Sequence, residues 1–299
     1  MTSTLVSSEA GRSLANTTNQ RSQFTRVLKE CIRCCQIDVS GRVLIVGGSA
    51  IDVSVLRAVG FRQLTLSNID SVRLSADDIP GGEDLSVEVT SADVENLHFG
   101  DDSYDVVIAH EVLHHCRSPH AGLLDMLRVS RGHVIVMEPH DSLFMKILGR
   151  MRLATFPYEL AAVIDHNYQS GGVRDSCIPN FVYRWNRNEV FKTASSFTPD
   201  RAFELYAHPY WDLNLDARAL SFRKQTRLHI FTSVLGTTGF LRSLRVLQKI
   251  LNFTPILRRQ GNKFFCCIEK RGELRPWLVH DNVQGIVFNR RFGKEEANA

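Results

Sequence analysis

Apolar positions along the chain follow two periods, and the switches between them mark its elements. Phe24, Val27, Leu28, Cys31, Ile32 and Cys35 recur at helical spacing and form one apolar stripe, which predicts a leading helix with the cysteines in its packed face. Val43-Leu44-Ile45-Val46 is a short unbroken apolar run closed by Gly47-Gly48, the form taken by a strand buried on both faces. Ser49 and Asp52 have capping-box spacing for the next helix. Ile51, Val55, Leu56 and Val59 give that helix its inner face, and Gly60 stands where it should end. Leu64-Thr65-Leu66 predicts a second strand, the alternating Val87 and Val89 a third, Tyr104 to Ala109 a fourth and His133 to Met137 a fifth. Between the last two, Ser118 is a natural cap, Pro119 suits a first turn, and Leu123, Leu124 and Leu127 face inward.

Strand and helix in alternation predict an α/β fold with a doubly wound, mostly parallel sheet. After Glu138 the rhythm breaks. Leu143, Ile147 and Met151 suggest a helix within a long stretch that also holds Gly171-Gly172, and Asn186 with Glu189 suggests a further cap. Ala202 to Tyr210 and Lys263 to Lys270 complete the sheet at seven strands. Connections of this length in a compact domain usually act as lids or binding elements. The resulting division is a flexible tail over 1–20, a core with its leading helix over 21–140, and a cap over 141–195. The end of the sheet follows over 196–270, with a basic helical insertion at about 214–260, and then a C-terminal extension over 271–299.

Composition narrows the class without fixing it. With 43% hydrophobic and 23% charged residues, 299 residues can bury a full core. The Ser/Thr/Asn-rich start lacks a basic-then-apolar leader, and seven cysteines in no disulfide pattern fit a reducing cytoplasm. Cys31-x-x-Cys34 has no second Cys or His pair at finger spacing, so no metal is expected. From Ala217 to Gln260 there is no Asp or Glu against nine Arg and Lys. Phe240, Leu241, Leu244, Leu247, Ile250 and Leu251 make an apolar stripe there, flanked by Arg242, Arg245 and Lys249. Such a helix can cap a site, rest on an anionic membrane surface, face an acidic substrate, or simply be a solvated basic exterior. Without interleaved aromatic and basic residues, nucleic acid is not the expected partner; oligomeric state is not readable.

In a sheet of this kind ligands sit beyond the carboxyl ends of the strands. The residues there are Val46-Gly47-Gly48-Ser49, Asn68-Ile69-Asp70, Asp93-Val94, His110-Glu111 and Glu138-Pro139. Glycines let a backbone approach a ligand closely, and the helix start beyond them suits a carboxylate. Asp93 can accept from the amino group of an adenine.

From Asp93 to Val129 the order of Asn96-Leu97-His98-Phe99, Ser103-Tyr104-Asp105-Val106-Val107, Glu111-Val112-Leu113-His114-His115 and Leu127-Arg128-Val129 is specific. This run resembles the small-molecule methyltransferases of the ubiquinone and menaquinone biosynthesis type, over roughly residues 40 to 140. The resemblance implies a Rossmann-like methyltransferase fold, S-adenosylmethionine as cofactor with S-adenosylhomocysteine as product, and a small-molecule acceptor methylated at oxygen, nitrogen or carbon. It implies that Gly47 and its neighbours meet the methionine end, Asn68 the ribose, and Asp93 and Val94 the adenine, with His110 and Glu111 lining the transfer cleft. His115 is the candidate base, with His114 beside it; packing or capping is the alternative role for His115. The glycine loop departs from the family pattern, with Ile45 in place of the acid, Ser49 and Ile51 in place of the second and third glycines, and Asn68 in place of the ribose acid. Two other readings stand beside this one, and the departures support the first and weigh against the second. One is a methyltransferase-like protein that binds a ligand or partner without catalysis. The other is a nicotinamide-dependent oxidoreductase, which expects a fuller glycine fingerprint. The anionic, basic-segment readings extend to an anionic or lipid-like acceptor.

Overall fold

The computed structural model describes residues 24–69, 87–151, 153, 157–213 and 229–292. The tail over 1–20, Asp70, residues 214–228 of the basic insertion and the last residues of the C-terminal extension lie outside them.

A helix over residues 24–34 (α1) leads into β1 (Arg42–Val46), α2 (Ala50–Val59), β2 (Gln63–Asn68), β3 (Val87–Ser91), β4 (Tyr104–His110), α3 (Pro119–Val129) and β5 (Ser130–Pro139). Then come α4 (Leu143–Arg150), α5 (Leu160–Asp165), α6 (Arg187–Phe197), β6 (Arg201–Tyr210), α7 (His229–Phe253), α8 (Pro255–Arg258), β7 (Lys263–Leu274), β8 (Leu278–Asp281) and β9 (Gly285–Phe288). The main sheet has seven strands in the order β3-β2-β1-β4-β5-β7-β6. β1 to β5 are parallel, and β7 runs antiparallel between β5 and β6. The strand order reverses between β1 and β4, so the β1, β2 and β4 termini open a crevice at that switch point.

Alternate residues of each strand feed two cores. Leu44, Val46, Val107, Ala109, Val134, Val136, Phe264 and Cys266 pack on one face with α3 and α6, through Leu123, Leu127, Val190 and Ala194. Val43, Ile45, Val106, Ile108, Ile135, Met137, Phe265 and Cys267 pack on the other with Val27, Leu28 and Cys31 of α1 and Val53 and Leu56 of α2. Burial on both faces is why these strands read as unbroken apolar runs. The caps act where their residues predict: Ser49 with Asp52, Gly60 at φ 116, Ser118 accepting from the Ala121 N–H, and Asn186 accepting from Glu189 N–H.

Three differences stand out. β5 begins at Ser130, directly on the end of α3, instead of at His133. The stretch 141–195 is not all cap, because α6 and Trp185 belong to the sheet's own core layer. The C-terminal extension contains an antiparallel hairpin, β8–β9, whose turn is held by Asp281 accepting from Val283 and Gln284 N–H at 2.8 Å each.

Candidate functional site

The turn after β1 depends on glycine twice. Gly47 has φ +59, and a Cβ there would lie 2.6 Å from Val112 Cγ1. Gly48 has no such dihedral, but a Cβ would lie 2.5 Å from Ile45 Cγ2. The third position of α2, Asp52, accepts from the N–H and hydroxyl of Ser49 at 2.7 Å each and faces His110 Nδ1 at 2.8 Å. It therefore ties the loop after β1 to the end of β4. Burial pushes the His110 imidazole down, but the hydrogen bond and charge of Asp52 outweigh it and hold the pKa above its ordinary value. Phe24 of α1 stacks on that ring, with centroids 4.2 Å apart.

Beyond β4, Glu111 takes φ +58, a conformation uncommon for a residue with a side chain. Burial raises its carboxyl, yet the Lys263 ammonium, to which it is hydrogen-bonded, and His110 bring it down to about 2. The turn Leu113–His115 is shaped by a buried carboxylate at the end of β5. Glu138 accepts from Val112 N–H at 2.8 Å and Leu113 N–H at 2.7 Å, and meets His114 Nδ1 at 2.6 Å. Glu159, from the cap, faces His114 Nε2 at 3.4 Å and His115 Nε2 at 3.9 Å. Burial lowers His114, but Glu138 and Glu159 overcome it and raise its pKa to about 10. His115 goes the other way: burial and the neighbouring His114 charge depress it, with Glu159 and Glu138 offsetting only part.

Residues of the segment after β5 lie against these. Arg174, at φ 51, reaches down to Asp93 at 2.5 Å, and Asn180 donates to the His114 carbonyl at 3.0 Å. A cavity of about 370 Å³ results, within the range of small-molecule sites. Gly47, Asn68, Ile69, Asp93, Val94, Glu111 and His115 line it from the sheet side; His166, Gly171, Gly172 and Arg174 line it from the cap. A second cavity of about 400 Å³ adjoins it, sharing Gly47 and Glu111 and adding Phe24, Ser49, Asp52, His110, Tyr210, Asp212 and Lys263.

Most of the residues picked from the sequence thus converge. Gly47, Asn68, Ile69, Asp93, Val94, Glu111 and His115 share the first cavity, and Ser49 and His110 the second. Val46 is buried in β1, and Gly48 supports the turn from behind, its carbonyl accepting from Asn68 Nδ2 at 3.4 Å. His114 is buried between two carboxylates and lines neither cavity. Asn68 also uses its Oδ1 to hold Ile69 N–H at 2.7 Å, so its amide is occupied in shaping the loop. Glu138 was among the strand-end residues singled out from the sequence, though its hold on the Leu113–His115 turn was not foreseen. Glu159, Arg174 and Lys263 were not among the sequence candidates; they lie outside the run that resembles a known family and offered no signal.

Residues 45–136 match the family model described as a methyltransferase domain. No curated protein matches the chain. Among solved structures, the chain is similar to the Haloferax volcanii methyltransferase solved in complex with the Trm112 methyltransferase activator: 14% identity, 87% of this chain and 96% of that one covered, TM-score 0.48. It is similar to an S-adenosylmethionine-dependent methyltransferase of Mesorhizobium loti at 12% identity, covering 81% and 96%, with TM-score 0.46. It is also similar to the YcgJ protein of Bacillus subtilis at 12% identity, covering 81% and 97%, with TM-score 0.45. Over residues 45–136 the chain is therefore similar to a methyltransferase domain.

Proposed function

We propose that the protein transfers a methyl group to a small-molecule acceptor at oxygen, nitrogen or carbon, with His115 as the base where the acceptor must lose a proton. The supporting observation is the shared cavity: residues from four strand ends and the cap, far apart in sequence, line one volume. Asp93 and Val94 are assigned to the adenine, Asn68 and Ile69 to the ribose, and Gly47, Ser49 and Glu111 to the methionine end. Val46 and Gly48 keep the turn in shape. When bound, the cofactor supplies an electrophilic methyl on sulfonium, so the residues mainly align the acceptor and exclude water. His115 suits proton removal because its lowered pKa keeps it neutral at physiological pH. His114, expected as its companion base, holds its proton there and is assigned to orientation instead. The acceptor would enter through the second cavity, where Tyr210, Asp212 and Lys263 wait beyond Glu111. The run from Asp93 to Val129 supports kinship with the ubiquinone and menaquinone type over the oxidoreductase reading. Calorimetric titration tests the assignment: S-adenosylhomocysteine should bind, and Asp93→Ala should weaken it about tenfold, the loss of one charged hydrogen bond. Unchanged affinity in that variant would sink the pocket assignment, and no heat in the parent protein would favour the non-catalytic reading.

The surface beside the second cavity supports an anionic, lipid-like acceptor met at a membrane surface. α7 and α8 expose Leu247, Ile250, Phe253 (90%) and Ile256 (77%), and α4 exposes Leu143, Ile147 and Met151. The two apolar areas meet: Phe144 N–H donates to Gln260 Oε1 at 3.2 Å, and Trp211, against the Phe144 ring, donates Nε1–H to the Leu257 carbonyl at 2.8 Å. Over 229–260 the charges are Arg242, Arg245, Lys249, Arg258 and Arg259, with no acid. Apolar side chains rimmed by cations fit an interfacial helix on anionic lipid. Among the described residues no helix is long and apolar enough to cross a membrane. Vesicles of phosphatidylcholine with phosphatidylserine should sediment the protein at low salt, and the Arg245→Glu/Lys249→Glu variant should stay in solution. Equal recovery with phosphatidylcholine alone would remove the charged surface from the proposal.

A further inference from the structure

Three cysteines from two segments distant in sequence meet beneath α1. Cys35 closes the last turn of that helix, its N–H donating to the Cys31 carbonyl at 2.9 Å, so the two thiols share a face. Cys267 of β7 comes up against them, and the three Sγ atoms lie within 4.8 Å of one another. Cys31 and Cys267 are buried, Cys35 is half-buried, and all three are free thiols. Sulfurs around a tetrahedral zinc, at Zn–S of about 2.3 Å, stand roughly 3.8 Å apart. Small side-chain rotations close the difference.

A fourth donor can come from the same face of the sheet. His133 lies on β5 two residues before Ile135, the ladder partner of Cys267, and so projects from the same face of the sheet. Its Nε2 is buried and has no hydrogen-bond partner among the described residues. A buried polar nitrogen without a partner is costly. If filling space were the only demand, Val or Leu at these positions would bury more apolar area.

We propose that Cys31, Cys35, Cys267 and His133 form a structural zinc site that fastens α1 to the sheet. Three Cys and one His make a closed, four-coordinate set. Binding forms three Zn–S bonds and one Zn–N bond, releases the three thiol protons to solvent, and needs no oxidant or reductant. The site has a consequence for the cavity wall: α1 begins with Phe24, which stacks on His110 and lines the second cavity. The methyl-transfer reading does not depend on the zinc, and each can fail alone.

Elemental analysis of protein purified without chelator should find close to one zinc per chain. Exchange with cobalt(II) should give the near-ultraviolet absorption of thiolate-to-cobalt charge transfer. Cys267→Ser should lose both signals, and Cys177→Ser, an exposed cysteine outside the cluster, should keep them. Should Cys267→Ser fail to fold, Cys35→Ser at the half-buried position reads the same loss. His133→Asn should weaken zinc binding by about tenfold or more, since even outer-shell partners of a metal carry that much. No zinc as purified and none after anaerobic loading overturns the proposal. So does a cobalt spectrum without the thiolate band, or unchanged affinity in His133→Asn.

Discussion

His114 and His115 are adjacent and chemically identical, yet their surroundings give them opposite protonation. His114 sits between Glu138 at 2.6 Å and Glu159 at 3.4 Å, while His115 feels burial and the charge of His114. His115→Ala should lower kcat by about 10²–10⁴, the usual share of a general base, with S-adenosylhomocysteine affinity nearly unchanged by titration. The parent rate should hold at neutral pH and fall only below the ordinary imidazole value of about 6.5, as His115 takes up its proton. His114 carries a stability term of the opposite reach. Its folded pKa, about 10, lies above the unfolded value, so its contribution is complete below about pH 6.5 and is lost as pH rises through 10. Melting temperature should therefore decline from pH 7 to pH 10 by a component that Glu138→Gln reduces, Glu159 still facing His114. That variant should also lose stability at neutral pH, by less than the about 3–5 kcal/mol that a fully unpaired buried charge costs. The pair of histidines was legible as candidates in the sequence. Their division of labour was not, because Glu159 lies outside the run that resembles a known family and arrives from 44 or more residues further along the chain.

At the scale of elements, local rules were followed closely. The strands of the sheet, the Ser49, Ser118 and Asn186 caps and the Gly60 terminus all fall where side-chain type dictates. These are decisions made within a few residues, by hydrogen-bonding groups and by the two periods of burial. Hairpin β8–β9 was missed although Asp281-Asn282 and Gly285 carry turn chemistry, because exposed strands on both sides leave little apolar alternation. The turn after β1 is where an element serves the site directly. Gly47→Ala should destabilise by about 1–3 kcal/mol, through its positive φ and its collision with Val112, as read by chemical denaturation. It should weaken S-adenosylhomocysteine binding as well; a stable variant of unchanged affinity would show that the backbone there does not approach the cofactor.

For the molecule as a whole, the cap is the part that joins distant pieces. Arg174 pairs with Asp93, Glu159 with His114, and Asn180 with the His114 carbonyl, so the segment around 157–183 is tied to the sheet through site residues as well as through Tyr183. S-adenosylhomocysteine should slow amide exchange across this segment while leaving β8–β9 unchanged. Equal exchange with and without the ligand would separate the cap from the cofactor. The α4–α8 surface and the thiol cluster belong to this scale too, since each is assembled from segments more than a hundred residues apart.

By itself the sequence determined the sheet and its order of elements, the turns at the strand ends, and the family-like run from Asp93 to Val129. Those features depend on neighbours a few residues away, and periodicity records them. Only the tertiary structure decided that α6 covers the sheet instead of the site, that Lys263 holds Glu111, and that Glu138 and Glu159 set the charge of His114. It also brought Cys267 to Cys31 and Cys35, which spacing along the chain had shown only as members of the packed face of a helix. Burial and charge depend on what arrives from elsewhere in the chain, and no local pattern carries that information.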